Sequence, residues 1–426
     1  MILATIDSER EPELRRLLAS MNREPGSLDP LNSLVPFPRL ERLHFARFVI
    51  LDDKTLNDIK VYGLPRVDYP TYLAFLGDVD GPADAFLIEL AKVAGDGLRR
   101  IFSHCKEYQP EVDLRGWLKT QSVSPGANYI NWVGRTVLQV GQEETLRRSI
   151  ESFIQKNSPS LRAMSPPEVR NTLQQFVAAE RQAGRITLTP DEPTPLGWQL
   201  RNILNLVGLP VLVLIFLPLL LLYLPFFLIQ LRRRERSDPQ IAPRVSPAHA
   251  DLLASLEDHD VTNQFSAMGS LKPGMFRRVT ITIVLAVIDY TARHIFNRGR
   301  LARVSTIHFA RWVFLDRGRR VIFLSNYDGS LEGYMDDFIN KVSFGLNVVF
   351  SNGIGYPRTN WLLCDGAKDE QTFKDFLRRH QLPTQIWYNA HPGLTALDRK
   401  RNSLIRDGLE QTSMPNSEIE EWLRLF

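Results

Sequence analysis

The chain repeats itself, and that duplication constrains its fold more than any other feature. Leu43-His44-Phe45-Ala46-Arg47-Phe48-Val49 recurs as Ile307-His308-Phe309-Ala310-Arg311-Trp312-Val313. Phe75-Leu76-Gly77-Asp78-Val79-Asp80-Gly81 answers to Phe323-Leu324-Ser325-Asn326-Tyr327-Asp328-Gly329. Gly97-Leu98, Phe102-Ser103 and Tyr108 match Gly345-Leu346, Phe350-Ser351 and Tyr356. Trp117-Leu118, Tyr129, Gly134, Thr136, Arg147 and Glu151 match Phe376-Leu377, Tyr388, Gly393, Thr395, Arg406 and Glu410. The matches keep one order and the gaps fall between elements, so one fold is encoded twice.

Each copy alternates strands and helices. The first is expected to hold strands at residues 2–6, 44–51, 72–78 and 128–133, with helices at 11–21, from Pro82 to about 102, and at 143–154. The second is expected to hold strands at 265–271, 306–315 and 320–326 and near Trp361 and Ile386, with helices from Met275 and Leu331. A βαββαβ order is the ferredoxin-like plait. Phe45 and Val49 make one face of the HFAR strand apolar, and Ala46, Phe48 and Ile50 the other. An antiparallel sheet with a wetted face would alternate apolar with polar. Two sheets facing each other with helices outside would cover both faces. The expected fold is therefore α+β, with tandem ferredoxin-like repeats pairing as a dimeric α/β barrel.

Between the copies, Leu206 to Ile229 carries no charged side chain, and about twenty apolar residues suffice to cross a bilayer as a helix. Arg232, Arg233, Arg234 and Arg236 follow, against Arg201 alone before it, which predicts a cytoplasmic C-terminal flank. Trp198 and Tyr223 suit interfacial anchors. Pro210, Pro218 and Pro225 each remove an amide donor and crowd the preceding turn, which predicts a proline-broken hairpin or shallow insertion. The pairing of the halves predicts the same: a single span would put them on opposite sides. The expected location is the membrane, with both halves on its cytoplasmic face and the lipid bilayer as partner. The apolar run 279–288 rests either on lipid or on its own sheet. The resulting division is residues 1–155, first repeat; 156–200, linker with a helix at 168–182; 201–236, membrane-inserting segment; and 237–426, second repeat.

Composition adds exclusions. The chain's 426 residues allow two ordinary domains. Two cysteines exclude a disulfide scaffold and a four-cysteine zinc site. Fifty-two basic against 48 acidic residues give a charge of +4, too small to suggest nucleic acid. Nothing at residues 1–13 resembles a secretory signal, since Glu9, Glu11 and Glu13 follow at once. No phosphate loop, H-E-x-x-H, paired CxxC or G-x-S-x-G occurs.

The duplicated polar residues carry any chemistry. His44 and His308 could ligate haem iron or exchange protons near neutral pH; the alternative is a core histidine bonded to a backbone carbonyl. Strand alternation puts each histidine and the arginine three residues on, Arg47 or Arg311, on opposite faces. Gly77-Asp78-Val79-Asp80-Gly81 fits G-x-x-D-G and, with the tandem halves, resembles the dye-decolourising peroxidases, whose distal aspartate lies in such a motif above haem. That resemblance implies a distal role for Asp80 alone; its counterpart Asp328 lies in a copy lacking the first glycine. The alternative is a tight turn with a helix-capping aspartate. His104, His308, His380 and His391 are all open as a proximal ligand. LHFARFVILD, YINWVGRT, TIHFARWVFLD and IGYPRTNW resemble a group of uncharacterised bacterial membrane-attached proteins with a central apolar segment, which supports the domain division and implies no activity.

Two functions follow as expectations. One is a membrane-associated, haem-binding, peroxidase-like oxidoreductase acting on a hydrophobic or lipid-derived small molecule. It would use Asp80, Asp328, Arg47 and Arg311 as catalytic residues and His44 and His308 as cofactor ligands. The other is a non-enzymatic membrane-associated binding or assembly module, able to oligomerise, in which the same residues serve packing and turns.

Overall fold

The computed structural model describes residues 1–426. The first copy runs β1 (Ile2–Thr5), α1 (Glu11–Ala19), a small hairpin of β2 (Asn22–Glu24) and β3 (Ser27–Leu28), β4 (Leu43–Leu51), β5 (Tyr72–Val79), α2 (Ala83–Phe102), α3 (Leu114–Thr120), β6 (Ala127–Ile130) and α4 (Val137–Leu161). Three helices connect the copies: α5 (Pro166–Gln182), α6 (Leu196–Ser237) and α7 (Pro247–Ala254). The second copy runs β7 (Thr262–Ser270), α8 (Met275–His294), β8 (Ile307–Leu315), β9 (Arg320–Asp328), α9 (Leu331–Phe350), a hairpin of β10 (Thr359–Asn360) and β11 (Cys364–Asp365), α10 (Glu370–His380), β12 (Thr384–Asn389) and α11 (Ala396–Glu410), with α12 (Asn416–Leu423) after it. Apart from the hairpins, each copy has the order β-α-β-β-α-α-β-α, so the duplication extends to the elements.

Neither copy completes its own sheet. One sheet has the order β1-β5-β4-β12 and the other β6-β8-β9-β7, so each takes three strands from one copy and its fourth from the other. Every pairing is antiparallel. The sheets pack on each other through Val49, Leu51, Ala74 and Leu76 from the first and Met268, Val313, Leu315, Ile322 and Leu324 from the second. Their outer faces are covered by helices: Phe48 and Phe75 pack with Leu90, Leu98 and Trp117, and Trp312 and Phe323 with Leu285, Leu346 and Phe373. This accounts for HFAR strands apolar on both sides. The protein is thus α+β, with two antiparallel sheets and one long apolar helix.

The connecting residues are more integral than a linker. Helices α4, α5, α11 and α12 share a core of Leu146, Ile150, Leu173, Val177, Ile405 and Trp422. Near Trp361 there is no full strand, only the two-residue pieces β10 and β11, with Trp361 and Leu362 at positive φ between them.

The apolar segment also departs from expectation, because the prolines do not break it. Helix α6 is continuous over 42 residues with all three prolines inside, about 63 Å long at 1.5 Å per residue. The leucine-rich run between them favours helix. The prolines fall seven and eight residues apart, within an arc of about 80° at 100° per residue, so each disturbs a separate turn on one side.

Candidate functional site

Each HFAR histidine occupies a β-bulge. Between Leu43↔Val79 and Phe45↔Asp78 the register slips by one residue, leaving His44 as the extra residue on β4. The same slip between Ile307↔Tyr327 and Phe309↔Asn326 leaves His308 extra on β8. A bulge re-aims the side chain at that position. Both rings consequently turn toward the opposite sheet, His44 within 5.9 Å of the Phe309 ring and His308 within 5.3 Å of the Phe45 ring. Strand alternation places His44 and Arg47 on opposite faces; the bulge brings both into the space between the sheets.

There each histidine meets the aspartate of its own Asp-Gly turn. His44 Nε2 lies 2.8 Å from Asp80 Oδ1, and Asp80 Oδ2 accepts the Val137 amide at 2.7 Å. His308 Nε2 lies 2.6 Å from Asp328 Oδ1, and Asp328 Oδ2 accepts the Ala396 amide at 2.7 Å. Val137 and Ala396 open α4 and α11 behind the capping boxes Thr136–Gln139 and Thr395–Asp398. Each aspartate therefore ties a strand to a helix start, where free amides and the helix dipole favour negative charge. With a carboxylate accepting, Nε2 carries the imidazole proton in the neutral tautomer. Burial pushes the His308 pKa below its ordinary value against the opposing pull of Asp328.

The arginines form a second reciprocal set. Arg47 donates to Phe265 O at 2.8 Å, Ser266 Oγ at 3.0 Å, Ser325 O at 2.9 Å and the Asn326 side-chain oxygen. Arg311 donates to Gly77 O at 3.1 Å, Asn128 Oδ1 at 3.0 Å and the Asp78 carboxylate. Gly77-Asp78 and Ser325-Asn326 are equivalent in the repeat, so each arginine grips the same two positions of the other copy. Burial lowers the Arg47 guanidinium to about 10, with Asp78 opposing. The sequence had pointed to Asp80 and Asp328 and passed over Asp78 and Asn326, although the aligned GDVDG and SNYDG segments contain both.

The residues do not fit a haem. His44 and His308 line one cavity with Asn131, Trp132, Phe309 and Arg399, about 30 Å³ in volume. That is the size of one or two water molecules, whereas small-molecule sites run from about 300 Å³ upward. Both Nε2 atoms and both oxygens of each aspartate are already engaged. His104 and His380 turn Nδ1 to the backbone carbonyls of Ile101 and Phe376, the ordinary arrangement of a core histidine. His391 lies 6.5 Å ring to ring from His44. Burial lowers it to about 3, with Arg399 and His44 adding to the effect. No three His, Cys, Asp or Glu side chains converge as a metal would require.

The remaining distinctive surface is α6. Its most apolar stretch has a mean hydropathy of 2.8 and none of it is buried. All seventeen residues from Pro210 to Phe226 are exposed. Yet both ends hold to the body. Near the start, Tyr290 Oη donates to Leu206 O at 3.0 Å and His294 Nε2 meets Asn205 Oδ1 at 2.8 Å. Further along, Phe227 packs on Phe276 at 5.3 Å. At the end, the buried Glu235 carboxylate accepts from Thr359 Oγ1 at 2.9 Å and from the Trp361 and Leu362 amides at 3.0 and 2.8 Å. The helix thus runs antiparallel along α8, whose residues Met275, Val279, Ile283 and Val287 form an exposed apolar stripe at four-residue spacing. Comparison of the chain with protein-family models, curated proteins and solved structures returns no match.

Proposed function

We propose that this protein is a membrane-associated binding or assembly module, built of tandem ferredoxin-like halves paired as a dimeric α/β barrel and resting on one face of a bilayer. The observation that carries the proposal is the wholly exposed Pro210–Phe226 stretch, whose flanking turns are both fastened to the same body. An apolar surface of that size in water is unfavourable and marks a membrane or partner contact. A single crossing would separate residues 1–195 from residues 238–426, but β6 and β12 interlock the halves within shared sheets. Insertion of α6 with the α8 stripe from one side satisfies both facts. The Arg47 and Arg311 sets then serve to lock the two copies together, since each donates to the backbone and side chains of the other copy, and the His–Asp pairs tie each copy's strand to its own helix start.

Vesicle flotation of the full chain tests this. The wild type is expected to float with phosphatidylcholine vesicles, and Leu214→Glu with Leu222→Glu, both exposed, to abolish flotation while the unfolding temperature stays unchanged. Undiminished flotation of that variant would sink the proposal.

A further inference from the structure

At the C-terminal end of α6 lies the corner where residues 56–69, the β7–α8 loop and the β8–β9 turn meet around a cavity of about 270 Å³. Three cations line it, Lys272, Arg278 and Arg319, and no acidic residue does. Arg278 and Arg319 form no ion pair within the protein; Lys272 is buried and held by Asp238 at 3.2 Å. The Arg234 guanidinium, on the last turns of α6, lies against Gly274 at the mouth and also has no acidic partner. Gly274, on the cavity wall, starts α8, and no side chain caps the amides of that first turn, so the positive end of the helix dipole lies near the cavity. The rim is apolar and exposed at Leu64, Val67 and Met275.

Resting on the membrane reading above, we propose that this cavity binds the phosphate of an anionic phospholipid headgroup, with the acyl chains leaving along Met275, Val279 and Ile283 of α8 beside α6. The chemistry fits on three counts. Unpaired guanidiniums recognise a phosphate by paired N–H donors. The apolar rim suits a ligand that is charged at one end only. The cavity opens where the apolar helix ends in Arg232-Arg233-Arg234, the depth at which headgroups lie if α6 is inserted. The Lys272 ammonium, lowered to about 8 by burial, is still charged at neutral pH and fixes the floor of the cavity rather than its selectivity.

The test uses full-length protein carried in neutral detergent and diluted into vesicles of phosphatidylcholine alone or of equimolar phosphatidylcholine and phosphatidylglycerol. Wild type is expected to favour the anionic vesicles. Arg278→Glu with Arg319→Glu should reduce that preference by roughly tenfold or more and leave binding to neutral vesicles unchanged. Arg115→Glu with Arg162→Glu, an equal charge change elsewhere on the surface, should keep it. Four results overturn the proposal. A preference equal in both double variants reduces the effect to net charge. Loss of the preference on adding millimolar inorganic phosphate assigns the cavity to a soluble anion. Wild-type binding to neutral and anionic vesicles alike leaves the membrane reading standing and removes this one; no binding to either removes both.

Discussion

Asn326 donates its side-chain amide to the Asp78 carboxylate at 2.8 Å, and the two residues occupy equivalent places in the two copies. Each also receives the arginine of the opposite copy, Arg47 on Asn326 and Arg311 on Asp78. Two aspartates here would press two carboxylate oxygens together with no proton between them, and two asparagines would leave two guanidiniums without an anion. One of each satisfies the contact, so the copies differ where their symmetry requires it.

Asp78→Ala removes the carboxylate that faces both guanidiniums. Leaving a buried charge uncompensated costs about 3–5 kcal/mol, whereas Asn326→Ala loses hydrogen bonds to charged partners but removes no charge, at about 1.5–3 kcal/mol. Urea unfolding should rank the two variants in that order. Equal midpoints would show that Asp78 acts as a neutral spacer.

Asp328→Ala frees both His308 and the first amide of α11 and should cost about 2–3 kcal/mol. Asp80→Ala, the same change in the other copy, should cost less. Asp328 is the more buried of the two and also accepts from Thr262 Oγ1 at 3.0 Å. Thermal unfolding of the two variants compares them directly, and a larger loss for Asp80→Ala contradicts the argument.

Acid should weaken the fold through buried histidines. His308 is lowered from 6.5 by burial, and His391 to about 3. Below pH 6.5 the unfolded chain takes up protons that the folded chain refuses, so stability present above 6.5 is lost as the pH falls toward 3. Carboxylates contribute in the same range, so the diagnostic is a difference: His391→Gln should unfold with a shallower pH dependence than wild type between about pH 6.5 and 4. An unchanged slope there would remove His391 from the effect.

The sequence made much of this visible. The aligned copies announced the repeated elements, and doubly apolar HFAR strands required sheets covered on both sides. The strand exchange was beyond it: Tyr129 pairs with Ala310 and Tyr388 with Ala46, contacts set by packing between distant segments rather than by local pattern. The bulges at His44 and His308 were equally hidden, because a one-residue slip depends on the partner strand. The prolines misled for an opposite reason. Their local cost is real, but the sequence around them favours helix strongly enough to keep α6 continuous. Asp78 and Asn326 were legible in principle, as the one polar pair in the aligned turns that differs in charge between two otherwise matching copies.

Haem offered to the purified protein should give no Soret shift. The cavity between His44 and His308 is about 30 Å³, and admitting a porphyrin there would require parting the Phe45–Phe309 contact, 5.7 Å between centroids, and breaking both His–Asp bonds. A saturable shift lost in His44→Ala or His308→Ala would revive the peroxidase-like reading and show that the sheets open.

The placement of α6 makes a topological prediction that a spanning helix does not share. Residues on either flank, Thr194 before the helix and Ser246 after it, precede and follow 42 helical residues, enough to cross a bilayer with room to spare. If the helix lies along α8 and enters the membrane from one side, both flanks stay on that side despite its length. Cys105 is buried and Cys364 exposed, so the experiment begins from Cys364→Ser. Thr194→Cys and Ser246→Cys are then introduced singly and labelled with a membrane-impermeant maleimide in sealed inverted vesicles. Both should react without permeabilisation, and to similar extents, because the interlocked sheets hold the two copies in one compartment. Labelling of one position only would mean that α6 crosses, and a crossing helix would require β6 and β12 to leave the sheets they complete here.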